Sequence, residues 1–343
     1  MKRIIILCDG TWNTPDKTEG GIPCMTNVVK FAQAIKPIAD DGIKQMTYYD
    51  PGVGTSGFIL KRIFDGATGS GISRNILEAY NYLIFNYELD DELFFFGFSR
   101  GAFTVRSLAG LIRNSGILRR DASPMIEKAY RLYKSRNKAT HPRSIEATLF
   151  RKTYAVQNKI PIKFIGVWDT VGSLGNPLFI NSIFSKLSFS VMGNKFHDTD
   201  LSSTVKNAFQ ALAIDEKRRN FKATLWNQPA QSKDQTLEQV WFIGVHSNVG
   251  GGYPSTGLSD VALEWMRIKA KSCNLSMEAI PDCNPDYMDI PEESWKGFYR
   301  LIPKYYRYVM KTKFGNEALH DSVTKRLKED NNYRPKNLKS FFP

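Results

Sequence analysis

The stretch that decides the fold is Leu93-Phe94-Phe95-Phe96-Gly97-Phe98-Ser99-Arg100-Gly101-Ala102. Its apolar first half is typical of a buried strand, and residues 102–112 continue with helical spacing. A serine with glycines two residues before and two after it, between strand and helix, is the pattern of a nucleophile elbow. The glycines let strand and helix pass closely, and the Arg100 N–H would face a developing oxyanion. The alternative is a glycine-rich turn with an incidental serine.

Further apolar runs bounded by turn signals have the length of buried strands. With the run just quoted, they cover residues 3–8, 46–49, 93–98, 162–168 and 240–245. Between them, residues 73–87 and 102–112 repeat apolar side chains at helical spacing. This alternation is typical of a parallel sheet covered on both faces. We therefore predict the α/β class, an α/β-hydrolase fold with a mostly parallel twisted sheet and helices on both faces.

Two long stretches interrupt the alternation. Residues 176–200 are rich in apolar side chains without a clear period, which predicts a lid-like insertion over a site. From about residue 279 the chain becomes rich in proline, tyrosine and lysine. We expect a catalytic domain over residues 1–278, including the insertion, and a basic, aromatic C-terminal appendage over residues 279–343 packed on it.

A serine nucleophile needs a base to take its proton. His246 follows the last predicted strand and precedes Gly250-Gly251-Gly252, so we expect it at the carboxyl edge of the sheet beside Ser99. A buried structural histidine is the alternative reading of His246. The remaining histidines lack such a strand before them: His141, His197 and His320.

The base in turn needs an orienting carboxylate, and Asp169 directly follows the predicted strand over residues 162–168. The chain order Ser99, Asp169, His246 is the order of the α/β-hydrolase triad. Asp215 and Asp260 remain alternatives for the acid. Asp169 itself has another interpretation, as a cap for the turn that follows it.

The loop after the first strand, Cys8-Asp9-Gly10-Thr11, is the candidate second half of an oxyanion hole. In α/β-hydrolases a backbone N–H from a loop after an early strand assists the one that follows the nucleophile, so Gly10 or Thr11 would assist Arg100. Asp9 either holds this loop through hydrogen bonds or binds a cation, and the lack of a DxDxDG pattern favours the first role.

The charge balance favours anionic partners. There are 47 basic and 34 acidic residues, which leaves a net charge of +13. Part of the excess lies near the end of the chain, where Lys304-Tyr305-Tyr306-Arg307-Tyr308 interleaves cations with aromatic rings. A solvated basic surface is one interpretation, and peripheral contact with an anionic membrane surface is the other. Nucleic acid is not an expected partner, because no nucleic-acid-binding motif accompanies the charge.

No cofactor or metal is expected. The cysteines form no CxxC pair, the histidines form no HExxH motif, and the glycine-rich residues 49–55 match neither a dinucleotide fingerprint nor a P-loop. The sequence contains no run of about eighteen apolar residues, so we predict no transmembrane helix. The short apolar run after Arg3 leads straight into Asp9, so we expect a strand there and no signal peptide, in a protein made in the cytoplasm.

Several separated motifs together resemble one family, the catalytic domain of the type VI secretion lipase effectors of the Tle kind, first catalogued as a domain of unknown function. In order they are CDGTWN (8–13), YDPGVGT (49–55), GFSRGA (97–102), VWDTVG (167–172), AIDEKR (213–218) and WFIGVHSNVGGGY (241–253). They lie within roughly residues 3–266, which is most of the chain.

The resemblance implies an α/β-hydrolase fold and ester hydrolysis, with phospholipids as substrates of the studied effectors. It puts the nucleophile, acid and base on Ser99, Asp169 and His246, and it allows delivery by type VI secretion. The family often has aspartate where this chain has Asn248 and histidine where it has Gln210. Asn248 is expected to support the site, and so are Asp9, Gly97 and Gly101.

The sequence thus predicts a serine hydrolase that cleaves carboxylic esters through an acyl-enzyme, as a carboxylesterase or phospholipase A-like lipase. A soluble ester or thioester as substrate is the second hypothesis. The third is a catalytically idle hydrolase fold that binds anionic partners.

Overall fold

The computed structural model describes residues 1–10, 16–52, 70–172, 200–228, 234–312 and 316–341. Nearly all of the predicted insertion at residues 176–200 lies outside these ranges, and so does Thr11. In chain order the described elements are β1 (Arg3–Cys8), β2 (Thr18–Glu19), β3 (Ile22–Pro23), α1 (Asn27–Ala34), β4 (Gln45–Asp50), α2 (Ser70–Asn86), β5 (Glu92–Phe98), α3 (Arg100–Ser115), α4 (Ile126–Lys134), α5 (Ile145–Tyr154), β6 (Ile162–Trp168), β7 (Val205–Ala213), β8 (Thr236–Phe242), α6 (His246–Gly250), α7 (Gly257–Ser272), β9 (Glu317–Leu319) and α8 (Asp321–Glu329).

The main sheet has the strand order β4-β1-β5-β6-β7-β8-β9, and each neighbouring pair in it is parallel. β2 and β3 form a separate antiparallel pair. Because the strands are parallel, the loops that follow them open at one edge of the sheet, which is where ligands bind in open α/β folds. The predicted α/β-hydrolase class, with a mostly parallel sheet and helices on both faces, is confirmed.

The strand sequences explain why both faces are covered. Successive side chains of β1 point to opposite faces: Ile4 and Ile6 pack with α2 and α3, whereas Ile5 and Leu7 pack with α1 and α7. All four are fully buried. Each such side chain stabilises the fold by about 1.5–3 kcal/mol relative to an exposed position. Continuous apolar runs are therefore what a two-sided parallel sheet requires.

The predicted strands at residues 3–8 and 162–168 coincide with β1 and β6. The strand predicted at residues 240–245 is shifted, because β8 spans Thr236–Phe242. Ile243 and Val245 are buried in the turn that leads to α6, so the apolar run continues beyond the end of the strand. His246 therefore begins a short helix four residues after the strand.

The region after residue 278 is joined closely to the sheet. β9 pairs with β8, and Val309, Val323, Tyr333 and Leu338 share a buried cluster with Trp241 of β8. The division into a catalytic domain and an appendage at residues 278 and 279 stays a prediction. The structure adds that the later segment supplies the edge strand and part of the core. In the described part of the chain no helix is both long and apolar enough to cross a membrane.

Candidate active site

Ser99 stands at the junction of β5 and α3 in a backbone conformation that few residues other than glycine adopt. Its φ and ψ are 58° and −117°. Its N–H donates to the carbonyl oxygen of Trp168 at 3.0 Å, which ties the turn to the end of β6. A non-glycine residue at such angles costs about 1–3 kcal/mol and persists only where the surroundings enforce it.

The flanking glycines are what allow this turn. A Cβ atom on Gly97 would lie 2.6 Å from the backbone carbon of Gly101, and one on Gly101 would lie 2.0 Å from the carbonyl oxygen of Cys8. Both separations are shorter than any carbon–carbon or carbon–oxygen contact that a folded protein tolerates. The strand and helix can therefore meet at Ser99, beside the end of β1, only with glycine at these two positions.

His246 and Asp169 lie together beside this turn. Nδ1 of His246 is 2.5 Å from Oδ2 of Asp169, and both side chains are buried. The imidazole packs against the tilted ring of Phe98, the residue before Ser99, with 4.6 Å between the ring centroids. Asp169 has a positive φ of 43°, so a second strained residue stands at the end of the neighbouring strand β6. The structure thus brings the predicted base and acid into contact next to the predicted nucleophile.

The alternative acids are engaged elsewhere. Asp260, on α7, forms a buried ion pair with Lys30 at 2.8 Å. Asp215 accepts hydrogen bonds from the Gly244 N–H at 2.7 Å and from the Tyr333 hydroxyl at 2.9 Å. Burial raises the pKa of Asp215 to about 6. The carboxylate that meets the imidazole of His246 is that of Asp169.

Arg307 binds the carboxylate of Asp169 together with His246, a role that no sequence pattern predicts. Nη1 donates to Oδ1 at 2.5 Å and Nη2 to Oδ2 at 3.0 Å. Burial opposes ionisation of Asp169, but the charge of Arg307 and the bond to His246 outweigh it and hold the pKa of this carboxyl well below its usual range. Burial lowers the pKa of His246, although Asp169 opposes that shift. Arg307 is thus an internal cation, although its basic, aromatic segment suggested a surface role.

Glu216 supports the backbone that carries His246. Its Oε2 accepts from the His246 N–H at 3.2 Å, while Arg218 and Ser294 donate to its carboxylate at 2.8 and 2.9 Å. The Arg218 guanidinium also lies 3.6 Å from the ring centroid of Phe221, which packs edge-on against His246. In the sequence, Glu216 stands out only as part of the AIDEKR motif at residues 213–218.

The loop after β1 is held by Asp9. Its carboxylate accepts hydrogen bonds from the Thr26 hydroxyl at 2.5 Å, the Tyr49 hydroxyl at 3.1 Å and the Gly10 N–H at 2.6 Å. An oxyanion would therefore compete with Asp9 for the Gly10 N–H. Thr11, the other candidate donor of this loop, lies outside the described residues.

The remaining predicted positions lie close to this arrangement. Arg100 begins α3 directly after Ser99. Asn248, in α6, accepts from the N–H groups of Val245 and Glu292 and so fixes the start of the helix that carries His246. Gln210 is buried on β7, where its amide oxygen accepts from the Thr170 hydroxyl and from the Arg106 guanidinium. The described residues contain no cluster of three His, Cys, Asp or Glu side chains suited to a metal ion.

A family model described as the type VI secretion phospholipase effector Tle1-like catalytic domain matches residues 2–269. This chain belongs to the Tle1-like catalytic domain family. The match covers all the residues that form the contacts above except those of the C-terminal region, such as Arg307. The predicted family is thereby confirmed.

Relatives of this Tle1-like chain include the uncharacterized protein YEL023C of Saccharomyces cerevisiae, which is 28% identical over 239 residues. That match covers 64% of this chain but only 32% of the yeast protein, so the chain corresponds to about a third of its relative.

The solved structures that are similar to this chain include an uncharacterized protein from Pseudomonas aeruginosa. The two have a TM-score of 0.50 and 18% sequence identity, over 83% of this chain and 47% of that one. A Tle1 effector bound to the VgrG spike of the type VI secretion system gives a TM-score of 0.40 and 18% identity, over 74% of this chain and 51% of that one. The first likeness supports the fold.

Proposed function

We propose that this Tle1-like chain is a serine hydrolase that cleaves carboxylic esters of phospholipids through an acyl-enzyme. The observation that carries the proposal is the buried contact of His246 with Asp169 at 2.5 Å, beside a serine held at φ 58° between a parallel strand and its helix. A serine in a strained turn, a buried imidazole and a buried carboxylate are the groups that serine-dependent ester cleavage uses.

In the proposed acylation step, Oγ of Ser99 attacks the ester carbonyl carbon while Nε2 of His246 takes the hydroxyl proton. The carbonyl electron pair moves to oxygen, and the N–H of Arg100 donates to this oxyanion together with an N–H from the loop after β1. The tetrahedral intermediate then collapses, the bond to the alcohol oxygen breaks, and the imidazolium returns its proton to the leaving alcohol.

Water reverses the sequence in the deacylation step. His246 takes a proton from the water as the water oxygen attacks the acyl carbon. The second tetrahedral intermediate then collapses, the bond from the acyl carbon to Oγ of Ser99 breaks, and the imidazolium returns its proton to Oγ as the carboxylic acid leaves. Asp169 remains ionised throughout. Its carboxylate accepts the hydrogen bond from Nδ1, which fixes the tautomer of His246, and its negative charge stabilises the transient imidazolium. The low pKa of Asp169 supports this role.

Two observations support a phospholipid rather than a small soluble ester as substrate. The matching family model is that of a phospholipase effector. The C-terminal region also exposes large apolar side chains: Ile290 is 81% exposed, Leu301 78% and Tyr308 68%. Lys304 and Lys311 accompany them in sequence, a combination suited to peripheral contact with an anionic membrane surface.

Hydrolysis of phosphatidylethanolamine–phosphatidylglycerol vesicles, with the products identified by mass, tests the proposal. We expect wild type to release fatty acid and lysophospholipid, and Ser99→Ala to lose at least about a thousandfold in rate. Ser107→Ala is the matched control, since Ser107 is a buried serine of α3, the helix that begins directly after Ser99.

Equal vesicle hydrolysis by wild type and Ser99→Ala contradicts the catalytic role of Ser99. Rapid hydrolysis of short-chain nitrophenyl esters without attack on vesicles keeps the mechanism and replaces phospholipid with soluble esters.

A further inference from the structure

The guanidinium of Arg307 is held by several buried hydrogen bonds, unlike the side chain of a cation on a solvated basic surface. Its guanidinium donates to both carboxylate oxygens of Asp169, and it also donates to the carbonyl oxygens of Ala213 at 2.9 Å and Phe221 at 2.5 Å. The side chain is 1% exposed, and that of Asp169 is fully buried. A planar guanidinium held in this way sets the orientation of the carboxylate plane as well as its charge.

The charges around the imidazole show what Arg307 balances. Nδ1 of His246 faces Asp169. The backbone N–H of His246 donates to Glu216, and Arg218 lies beside Glu216. Arg218 donates twice to the carboxylate of Glu216, so these two charges largely offset each other. Arg307 is then the cation that offsets Asp169. A buried carboxylate without it would draw a proton onto the imidazole–carboxylate pair at higher pH, whichever of the two held that proton.

We propose that Arg307 is a positioning residue of the active site, which holds both oxygens of Asp169 and offsets their charge so that Oδ2 stays directed at Nδ1 of His246. The inference rests on the proposed roles of Asp169 and His246. Its consequence is that the imidazole remains a neutral base at mildly acidic pH. Arg307 thus contributes to catalysis from behind the acid, through Asp169.

The first test follows the protonation of His246 directly. The chain has only four histidines, so NMR titration of histidine-labelled protein resolves the imidazole of His246, assigned by its loss in His246→Gln. We expect Arg307→Gln to raise the titration midpoint of His246 by about one pH unit or more. The acidic limb of kcat for vesicle hydrolysis should move upward by the same amount.

Arg326→Gln is the matched control. Arg326 is also a buried arginine of the C-terminal region, and it donates to Asp330 and to the carbonyl oxygens of Tyr287 and Asp289 instead of the triad. Both glutamine variants should lower the melting temperature, whereas only Arg307→Gln should move the titration of His246. A purely structural role for Arg307 predicts the same titration midpoint in both variants.

Arg307→Lys separates charge from geometry and carries the test if Arg307→Gln does not fold. Lysine keeps the positive charge but cannot make two parallel bonds to the carboxylate. We expect the His246 midpoint to stay within a few tenths of a pH unit, while kcat falls by about tenfold or more with little change in KM. Wild-type kcat at every pH in Arg307→Lys overturns the proposal.

The two proposals fail in different ways. An upward shift of the His246 midpoint in Arg307→Gln, in a protein whose Ser99 is inert, supports Arg307 and rejects the serine hydrolase mechanism. If Ser99 is active but the His246 midpoint shifts no more in Arg307→Gln than in Arg326→Gln, the serine hydrolase mechanism is supported and the positioning role of Arg307 is rejected.

Discussion

The parts of the chain before and after residue 278 contribute to the site in different ways. The first part places the proposed reacting groups near the ends of parallel strands: Ser99 directly after β5, Asp169 directly after β6, and His246 after the turn that follows β8. The second part supplies buried partners, with Arg307 on Asp169 and Tyr333 on Asp215. The proposed reacting groups thus follow from local chain geometry, whereas Arg307 reaches Asp169 from a segment that is distant in the sequence.

Asp169→Asn is expected to have the largest effect and tests the first part. An amide cannot hold the Nδ1 proton of His246 or stabilise the imidazolium, so kcat should fall by about ten-thousandfold. Vesicle hydrolysis measures it. Asp260→Asn is the control, because Asp260 is an equally buried, ion-paired aspartate away from Ser99. An equal loss of kcat in folded samples of both variants would contradict the role of Asp169 as the carboxylate that orients His246.

Gly101→Ala tests how far local geometry fixes the elbow. The added methyl group would lie 2.0 Å from the Cys8 carbonyl oxygen, so either β1 or α3 must move. We expect a loss of at least about 4 kcal/mol in the free energy of unfolding, measured by denaturant titration.

Gly110→Ala is the control in the same helix, where the new atom would meet only the ring of Tyr133 at 2.9 Å. Its effect should stay within about 1 kcal/mol, because alanine favours the helix and the ring can shift. Similar losses in both variants would mean that the close contact at Gly101 does not constrain the turn.

The same contrast explains how much the sequence could predict. β1, β5 and β6 are continuous apolar runs, and the elbow motif is local, so all were predictable. β7 was missed because Lys206, Asn207 and Gln210 interrupt its apolar pattern, and β9 because three residues carry no period.

Arg307 could not be found in this way. The sequence Lys304-Tyr305-Tyr306-Arg307-Tyr308 is indistinguishable from a basic surface, and its carboxylate partner lies 138 residues earlier. Only the packing of the C-terminal region onto the sheet reveals that this cation points inward. Supports of this kind need the tertiary structure, because no spacing rule links them to the residue that they hold.

Asp215→Asn tests the second part through pH. The pKa of Asp215 in the folded protein is about 6, above the ordinary value of 3.8, so the native state binds this proton more tightly than the unfolded chain. The free energy of unfolding should therefore decline as pH rises from about 4 to about 6, by up to about 3 kcal/mol from this group. The variant should lack that part of the decline in denaturant titrations. An unchanged pH slope would contradict the raised pKa.

Tyr333→Phe should have the smallest effect. It removes the hydroxyl that donates to Asp215 at 2.9 Å, and we expect a loss of about 1 kcal/mol in unfolding free energy. The loss should be larger above pH 6 than below it, since a charged acceptor makes the stronger bond. Tyr287→Phe, which loses a bond to Glu329 at the surface, should change stability by less than about 0.5 kcal/mol. Equal effects would mean that Tyr333 does not support Asp215.

Intact-mass analysis after reaction with a fluorophosphonate tests most directly whether Ser99 is the nucleophile that His246 and Asp169 activate. We expect wild type to gain one label, peptide mapping to place that label on Ser99, and folded Ser99→Ala to gain none. A label on another serine, or no label on folded wild-type protein, would show that Ser99 is not the activated nucleophile.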